Sequence, residues 1–94
     1  MLHFTIHRLG AATRALTFEQ GVVKIGSLPT NTIQLDDPVV AHIHAVIEIE
    51  KGVIRLIDLG SEAGTTHNGT RVQQNVQIVD GDRIDIGPFA LTVR

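Results

Sequence analysis

The chain has 94 residues, of which 43% are hydrophobic and 19% are charged, which is typical of a single globular domain with one core. Its net charge of −2 argues against non-specific nucleic-acid binding, and its lack of cysteine excludes a disulfide framework or a thiolate metal site. No apolar run approaches the ~20 residues that cross a bilayer, and we do not expect the first residues to act as a signal peptide.

Alternation of apolar and polar residues dominates the sequence. In residues 2–8, Leu2, Phe4 and Ile6 fall on one face of a strand, and polar side chains fall on the other. The same reasoning predicts strands over residues 2–8, 15–18, 22–25, 45–50, 53–58, 76–79, 83–86 and 90–93. No segment has a sustained helical period, and turn signals recur between the strands. The sequence therefore predicts an all-β sandwich.

Glycine-containing pairs mark the tightest turns. Lys51-Gly52 separates two well-patterned strands and predicts a two-residue hairpin, in which glycine can take a positive φ. Asn68-Gly69 suits another tight turn of this kind, and Gly64 supplies one more position for positive φ.

Two longer motifs carry a family resemblance. Residues 26–45 read G-S-L-P-T-N-T-I-Q-L-D-D-P-V-V-A-H-I-H-A, and residues 58–72 read D-L-G-S-E-A-G-T-T-H-N-G-T-R-V. Residues 81–87 close the pattern as G-D-x-I-x-x-G. Together they resemble the forkhead-associated (FHA) domain, in which the motifs usually read G-R-x-x-x-N-x-I-x-L-x-D-x-x-V-S-R-x-H-A and D-L-x-S-T-N-G-T-x-x-N-G-x-x-V. The resemblance implies a sandwich of two sheets with about eleven short strands, whose loops at one end bind phosphothreonine peptides.

The family's phosphopeptide-binding side chains are replaced in this chain. By resemblance, their positions are occupied by Ser27, Ala41, His42, Glu62 and Ala63. Ser27 offers one hydroxyl where the family has a bidentate arginine, and Ala41 and Ala63 have no polar side-chain group. Glu62 adds a charge of the same sign as phosphate. We therefore expect phosphate binding to be lost, and the alternative is an atypical phosphothreonine site that uses Ser27 and His42.

Basic residues are also missing from both motif segments. No Lys or Arg lies between Lys24 and Lys51, or between Arg55 and Arg71. The acidic and histidine side chains in these intervals are Asp36, Asp37, His42, His44, Glu48, Glu50, Asp58, Glu62 and His67. Histidine is mostly uncharged near neutral pH unless its surroundings favour the proton. We therefore expect recognition loops that lack cations.

The remaining motif residues have structural interpretations. These residues are Gly26, His44, Ser61, Gly64, Asn68 and Gly69. By resemblance, His44 ties the two binding loops together. From their side-chain chemistry, Asp58 and Ser61 can bond backbone amides of the loop that they bracket.

The histidines also allow a metal-binding interpretation. His42 and His44 fall on one side of an extended segment, and His67 lies in a neighbouring loop by resemblance, so the three could hold zinc. The sequence favours loop roles instead, and we assign no metal and no cofactor. A G-x-S-x-G elbow, a cysteine nucleophile and a phosphate-cradling loop before a helix are all missing, so we do not expect an enzyme.

These observations predict a phospho-independent protein-interaction module, a scaffold for assembly or for regulation in bacterial signalling. Leu28, Val39 and Ile43 are the candidate partner contacts, because apolar side chains exposed on a loop favour an interface. The expected partner is another protein or another domain of the parent chain, rather than nucleic acid or membrane. We expect residues 1–94 to form one domain, alone or within a longer protein, that is cytoplasmic or the cytoplasmic part of a membrane-anchored protein. The oligomeric state is not predicted.

Overall fold

The computed structural model describes residues 2–19 and 21–94. The strands are β1 (Leu2–Arg8), β2 (Arg14–Phe18), β3 (Gly21–Gly26), β4 (Ile33–Gln34), β5 (Ala45–Glu50), β6 (Val53–Asp58), β7 (Thr66–His67), β8 (Thr70–Arg71), β9 (Asn75–Ile78), β10 (Arg83–Ile86) and β11 (Phe89–Val93). The predicted all-β fold is confirmed. The described residues form no helix, and therefore none that could span a membrane.

The strands form two sheets. The six-stranded sheet has the order β2-β1-β11-β10-β7-β8, and the five-stranded sheet has the order β4-β3-β5-β6-β9. Neighbouring strands are antiparallel except β3 and β4, which are parallel. The two-sheet architecture is that implied by the family resemblance.

The predicted strands all occur, and their bounds differ from the observed ones by at most one residue. Those predicted over residues 2–8, 45–50, 53–58 and 83–86 match end to end. At the β5–β6 turn, Lys51 and Gly52 have φ of 50° and 77°, as a two-residue hairpin requires. The two-residue strands β4, β7 and β8 were not predicted as separate elements, because so short a segment shows no alternation.

The core lies between the sheets and consists mainly of Ile, Val and Leu. Phe4 of β1, Ile47 of β5, Leu56 of β6, and Ile84 and Leu91 of β10 and β11 are almost completely buried. Each belongs to the apolar face of its strand, so the alternation in the sequence records which side chains point inward. Burial of these side chains supplies the main driving force for packing one sheet on the other.

Pairing in the five-stranded sheet brings three loops to one end of the sandwich. Ile25 near the end of β3 pairs with Ala45 at the start of β5, and Ala45 pairs with Asp58 at the end of β6. The loops that continue from these points are residues 27–32 between β3 and β4, residues 35–44 between β4 and β5, and residues 59–65 between β6 and β7. We call these three loops the loop end.

Candidate functional site

The β3–β4 and β4–β5 loops lie against each other at Gly26. The Ser27 amide donates to the Ala41 carbonyl at 3.0 Å. A Cβ on Gly26 would overlap the carbonyl oxygen of His42, so this close approach requires glycine. The Asn31 side-chain amide donates to that same His42 carbonyl at 2.7 Å. The two loops therefore pack with backbone in direct contact with backbone.

His44 joins the β4–β5 loop to the β6–β7 loop. Its side chain is completely buried. The Ala41 amide donates to its Nδ1 at 3.1 Å, so Nδ1 carries no proton, and its Nε2–H donates to the Gly64 carbonyl at 2.9 Å. Gly64 has a φ of 83°, in the left-handed region that glycine favours. One imidazole thus satisfies one backbone group in each loop.

Asp58 organises the β6–β7 loop from its first residues. One carboxylate oxygen accepts the amides of Gly60 and Ser61, and the other accepts the hydroxyls of Ser61 and Thr65 at 2.6 and 2.8 Å. Burial alone would raise the pKa of Asp58, but these hydrogen bonds outweigh it and hold the pKa below its usual range. The Ser61 hydroxyl therefore donates to the Asp58 carboxylate and not, as predicted, to a backbone group.

The expectation that the loops lack cations needs correction, because arginines distant in sequence reach them. Arg8 of β1 pairs with Asp37 at 2.9 Å, and its guanidinium also lies 5.1 Å from the centre of the Phe89 ring. Arg14 of β2 donates at 2.8 Å to the carbonyl of Gln34, the last residue of β4, directly before the β4–β5 loop. The sequence offered no local signal for these contacts, since β1 and β2 lie outside both motifs.

A third arginine lies beside the β6–β7 loop. A Cβ on Gly64 would come within 3.0–3.2 Å of the Arg71 guanidinium group. The charge of the loop end is therefore less negative than the sequence intervals indicate. Even so, Arg8 is already paired with Asp37, and no arginine occupies position 27.

The five positions that the family resemblance assigns to phosphopeptide binding all lie on the loop end. Ser27 and Ala41 are partly buried, whereas His42, Glu62 and Ala63 are exposed. Within the described part of the chain, the side chains of Ser27, His42 and Glu62 form no hydrogen bond or ion pair. The main-chain contact between Ser27 and Ala41 nevertheless brings the first two positions together.

Two of these positions, Glu62 and Ala63, line a largely apolar groove of about 340 Å³. Its lining residues are Pro38, Val39, Glu62 and Ala63, so it lies between the β4–β5 and β6–β7 loops. Val39 is 52% exposed. This groove was not predicted from the sequence, although Val39 was named there as a candidate contact.

Three further apolar side chains are exposed at the loop end. Leu28 and Ile43, the other candidate contacts, are 38% and 47% exposed, and Leu59 is 49% exposed. Val40, by contrast, is buried in the core. The loop end therefore combines several exposed apolar groups with few cations.

The Asn68-Gly69 turn is held by contacts outside the loop end. Both residues have positive φ, 49° and 86°, as predicted. The Asn68 carboxamide accepts the Arg83 amide at 2.8 Å, and His67 Nε2–H donates to Asp82 at 2.8 Å. The hydrogen bond from His67, with those from the Val79 amide and Asn68, lowers the pKa of Asp82.

The zinc interpretation finds no support in this geometry. His44 bonds two backbone groups and His67 bonds Asp82. Across residues 2–19 and 21–94, no three His, Asp or Glu side chains are arranged to hold a metal ion.

Comparisons with known proteins agree with this architecture. A family model described as the FHA domain matches residues 23–87. The oxoglutarate dehydrogenase inhibitor of Corynebacterium glutamicum is 38% identical over 74 residues, which is 78% of this chain and 50% of that protein. The glycogen accumulation regulator GarA of Mycolicibacterium smegmatis is 36% identical over 73 residues, covering 78% of this chain and 46% of that protein.

The chain thus spans about half the length of these curated relatives. Among solved structures, it is similar to the FhaA FHA domain that was crystallised in complex with the intracellular domain of Rv3910. That match has a TM-score of 0.85 and 32% identity, and it covers 97% of this chain and 99% of the other.

Proposed function

The chain belongs to the forkhead-associated (FHA) family, and we propose that it binds a protein segment through its loop end without requiring phosphothreonine. FHA domains are protein-interaction modules, and two of its relatives are named as a regulator and an inhibitor. The bound segment would belong to another protein or to another domain of the same parent chain. We propose a scaffold or regulatory role and no catalytic activity.

The chemistry at positions 27, 41, 62 and 63 carries this proposal. A phosphate dianion must be compensated by charged or multiple donors when it leaves water. Ser27 offers one hydroxyl, Ala41 and Ala63 offer no side-chain donor, and Glu62 offers a negative charge. The Arg8 guanidinium is engaged with Asp37, so it does not replace the missing arginine fork.

The ordered packing of the three loops supports a binding role for the loop end, because a surface without a function would not need these contacts. Gly26 still permits the close approach of two loops, and His44 still bridges to Gly64. Asp58 still orders the β6–β7 loop with four hydrogen bonds. A surface held this firmly can bind a partner at little cost in conformational entropy.

An atypical phosphothreonine site remains the second candidate. Its support is that Ser27 and His42 have side chains without hydrogen bonds in the described part of the chain. In this candidate the Ser27 hydroxyl and the His42 imidazole would donate hydrogen bonds to the phosphate, so it predicts that phosphorylated peptides bind more tightly than unphosphorylated ones.

A peptide titration separates the two candidates. A phosphothreonine peptide library and its unphosphorylated counterpart would be added to ¹⁵N-labelled protein, and the amide shifts would be followed. We expect phosphorylation to have no specific effect. Shifts of Ser27, Ala41 and Glu62 that appear with the phosphorylated peptides alone would refute phospho-independent binding.

A restoring variant tests the assignment of the positions themselves. Ser27→Arg combined with Ala41→Ser and Ala63→Asn should create phosphothreonine binding, because it returns the arginine fork and two polar groups to a preserved loop frame. The matched control carries Ala41→Ser and Ala63→Asn without the arginine, and it should bind far more weakly. Equal binding by the two variants would show that position 27 does not face the phosphate.

A further inference from the structure

We propose that the groove between the β4–β5 and β6–β7 loops takes one apolar side chain of an unphosphorylated partner segment, while a Lys or Arg beside it pairs with Glu62. The groove is the space of about 340 Å³ lined by Pro38, Val39, Glu62 and Ala63. This inference rests on the proposed function, since it specifies the chemistry that the loop end recognises.

The walls of the groove determine the first half of this specificity. Three of its four lining residues, Pro38, Val39 and Ala63, present apolar surface, and Val39 is 52% exposed. Its volume lies at the lower end of the roughly 300–1,000 Å³ range of ligand pockets, which suits one side chain better than a cofactor. An aliphatic or aromatic side chain would displace water from this surface.

Contacts within the β4–β5 loop and with its surroundings hold Val39 in an exposed position on the groove. Its amide donates to Asp37 Oδ1 at 3.0 Å, and Asp37 is in turn paired with Arg8. One of its methyl carbons lies 2.7 Å from the point where a Cβ on Gly87 would stand, so Gly87 leaves room for it. The apolar wall is therefore preformed, which lowers the entropy lost on binding.

Charge determines the second part of this specificity, which is the preference for a basic group beside the apolar side chain. Glu62 is the one ionisable residue that lines the groove, and in the described part of the chain its side chain forms no ion pair. Arg71, whose guanidinium lies near Gly64, is not among the lining residues, and Arg8 is paired with Asp37. Asp36, two residues before Pro38, is also exposed. A basic partner group would be attracted here, and an acidic one repelled.

The test is a selection of unphosphorylated random 12-residue peptides displayed on phage, against three forms of the 94-residue chain: wild type, Glu62→Lys and Val39→Thr. We expect wild type to enrich an apolar residue next to Lys or Arg. Glu62→Lys should keep the apolar residue and change its neighbour to Asp or Glu. A synthetic peptide that was selected on the wild-type chain should bind Glu62→Lys with a Kd about threefold to tenfold higher, which is the effect expected for reversing a charge at the rim of an interface.

Val39→Thr keeps the branched shape but makes the wall polar, and it should weaken the same peptide by about tenfold. Val53→Thr is the matched control, because Val53 is 41% exposed on β6, outside the loop end, and this change should leave binding unaltered. Amide shifts would show whether the peptide contacts Val39, Glu62 and Ala63.

The outcomes separate the inference from the proposed function. If selected peptides bind at the loop end without a basic preference, or if Glu62→Lys does not alter that preference, the inference is overturned and loop-end binding stands. If no peptide is enriched, if binding depends on Val53, or if only phosphothreonine versions of the peptides bind, both fail.

Discussion

Replacing His44 by alanine tests the bridge on which the loop end depends. The change removes two hydrogen bonds, one from the Ala41 amide and one to the Gly64 carbonyl. Removing the ring leaves the Ala41 amide and the Gly64 carbonyl without this partner, at a cost of about 1 kcal/mol for each lost bond. The lost ring also leaves a cavity, worth about 1–2 kcal/mol more. We therefore expect the free energy of unfolding to fall by about 3–4 kcal/mol.

This loss is a large fraction of the stability of a small domain, which is about 5–15 kcal/mol in total. It corresponds to a fall in Tm of roughly 12–30 °C for a chain of this size. Urea unfolding followed by far-UV circular dichroism would measure it, because the chain contains no Trp or Tyr for fluorescence.

His42→Ala is the matched control. His42 lies two residues away in the same loop, but its side chain is exposed and forms no hydrogen bond in the described part of the chain. This variant should unfold within about 0.5 kcal/mol of wild type. A loss below about 1 kcal/mol for His44→Ala, or equal losses for both variants, would refute the bridging role.

Three other perturbations test further contacts. Gly26→Ala forces a Cβ into the backbone of the β4–β5 loop and should cost about 2–3 kcal/mol, and an unchanged urea midpoint would contradict that close approach. Arg8→Ala should cost about 0.5–1 kcal/mol, because the Arg8 side chain is 37% exposed and solvent screens the pair; a double-mutant cycle with Asp37→Ala should show coupling, whereas strictly additive losses would exclude a stabilising pair. The hydrogen bond from His67 lowers the pKa of Asp82, so the ionised Asp82 carboxylate stabilises the folded state. This contribution is complete above the unfolded-state pKa of about 4, and it is lost as the pH falls through the lower folded-state pKa. Asp82→Asn should therefore flatten the decline of Tm in acid, and a decline as steep as that of wild type would contradict this origin.

Strands were predicted correctly where every second side chain is buried, because that burial produces an alternation of apolar and polar residues in the sequence. Leu2, Phe4 and Ile6 alternate because every second side chain of β1 enters the core. The strands β4, β7 and β8 have two residues each, so they contain no full period. They are strands because pairing partners distant in the chain, such as β10 for β7, lie beside them in the fold.

For the site as well, the sequence permits predictions about local features but not about contacts between residues that are distant in the chain. The alignment of Ser27 and Ala63 with ligand positions of the family stays a prediction, and it needs only motif spacing, which is a local property of the chain. The arginine contacts could not be found by scanning intervals of sequence. Arg8 reaches Asp37 across 29 positions, and the groove forms between two loops that no single motif contains.

The sequence by itself therefore determined the all-β sandwich, which follows from the period of two along the chain, and by resemblance it predicts which residues stand at the phosphate-binding positions. The tertiary structure alone decided which charges remain free at the loop end and where apolar surface is exposed. Arg8 is brought to Asp37 by the folded sheets, whereas the side chain of Glu62 has no ion-pair partner among the described residues. Such pairings depend on distances through space, which the order of residues does not reveal.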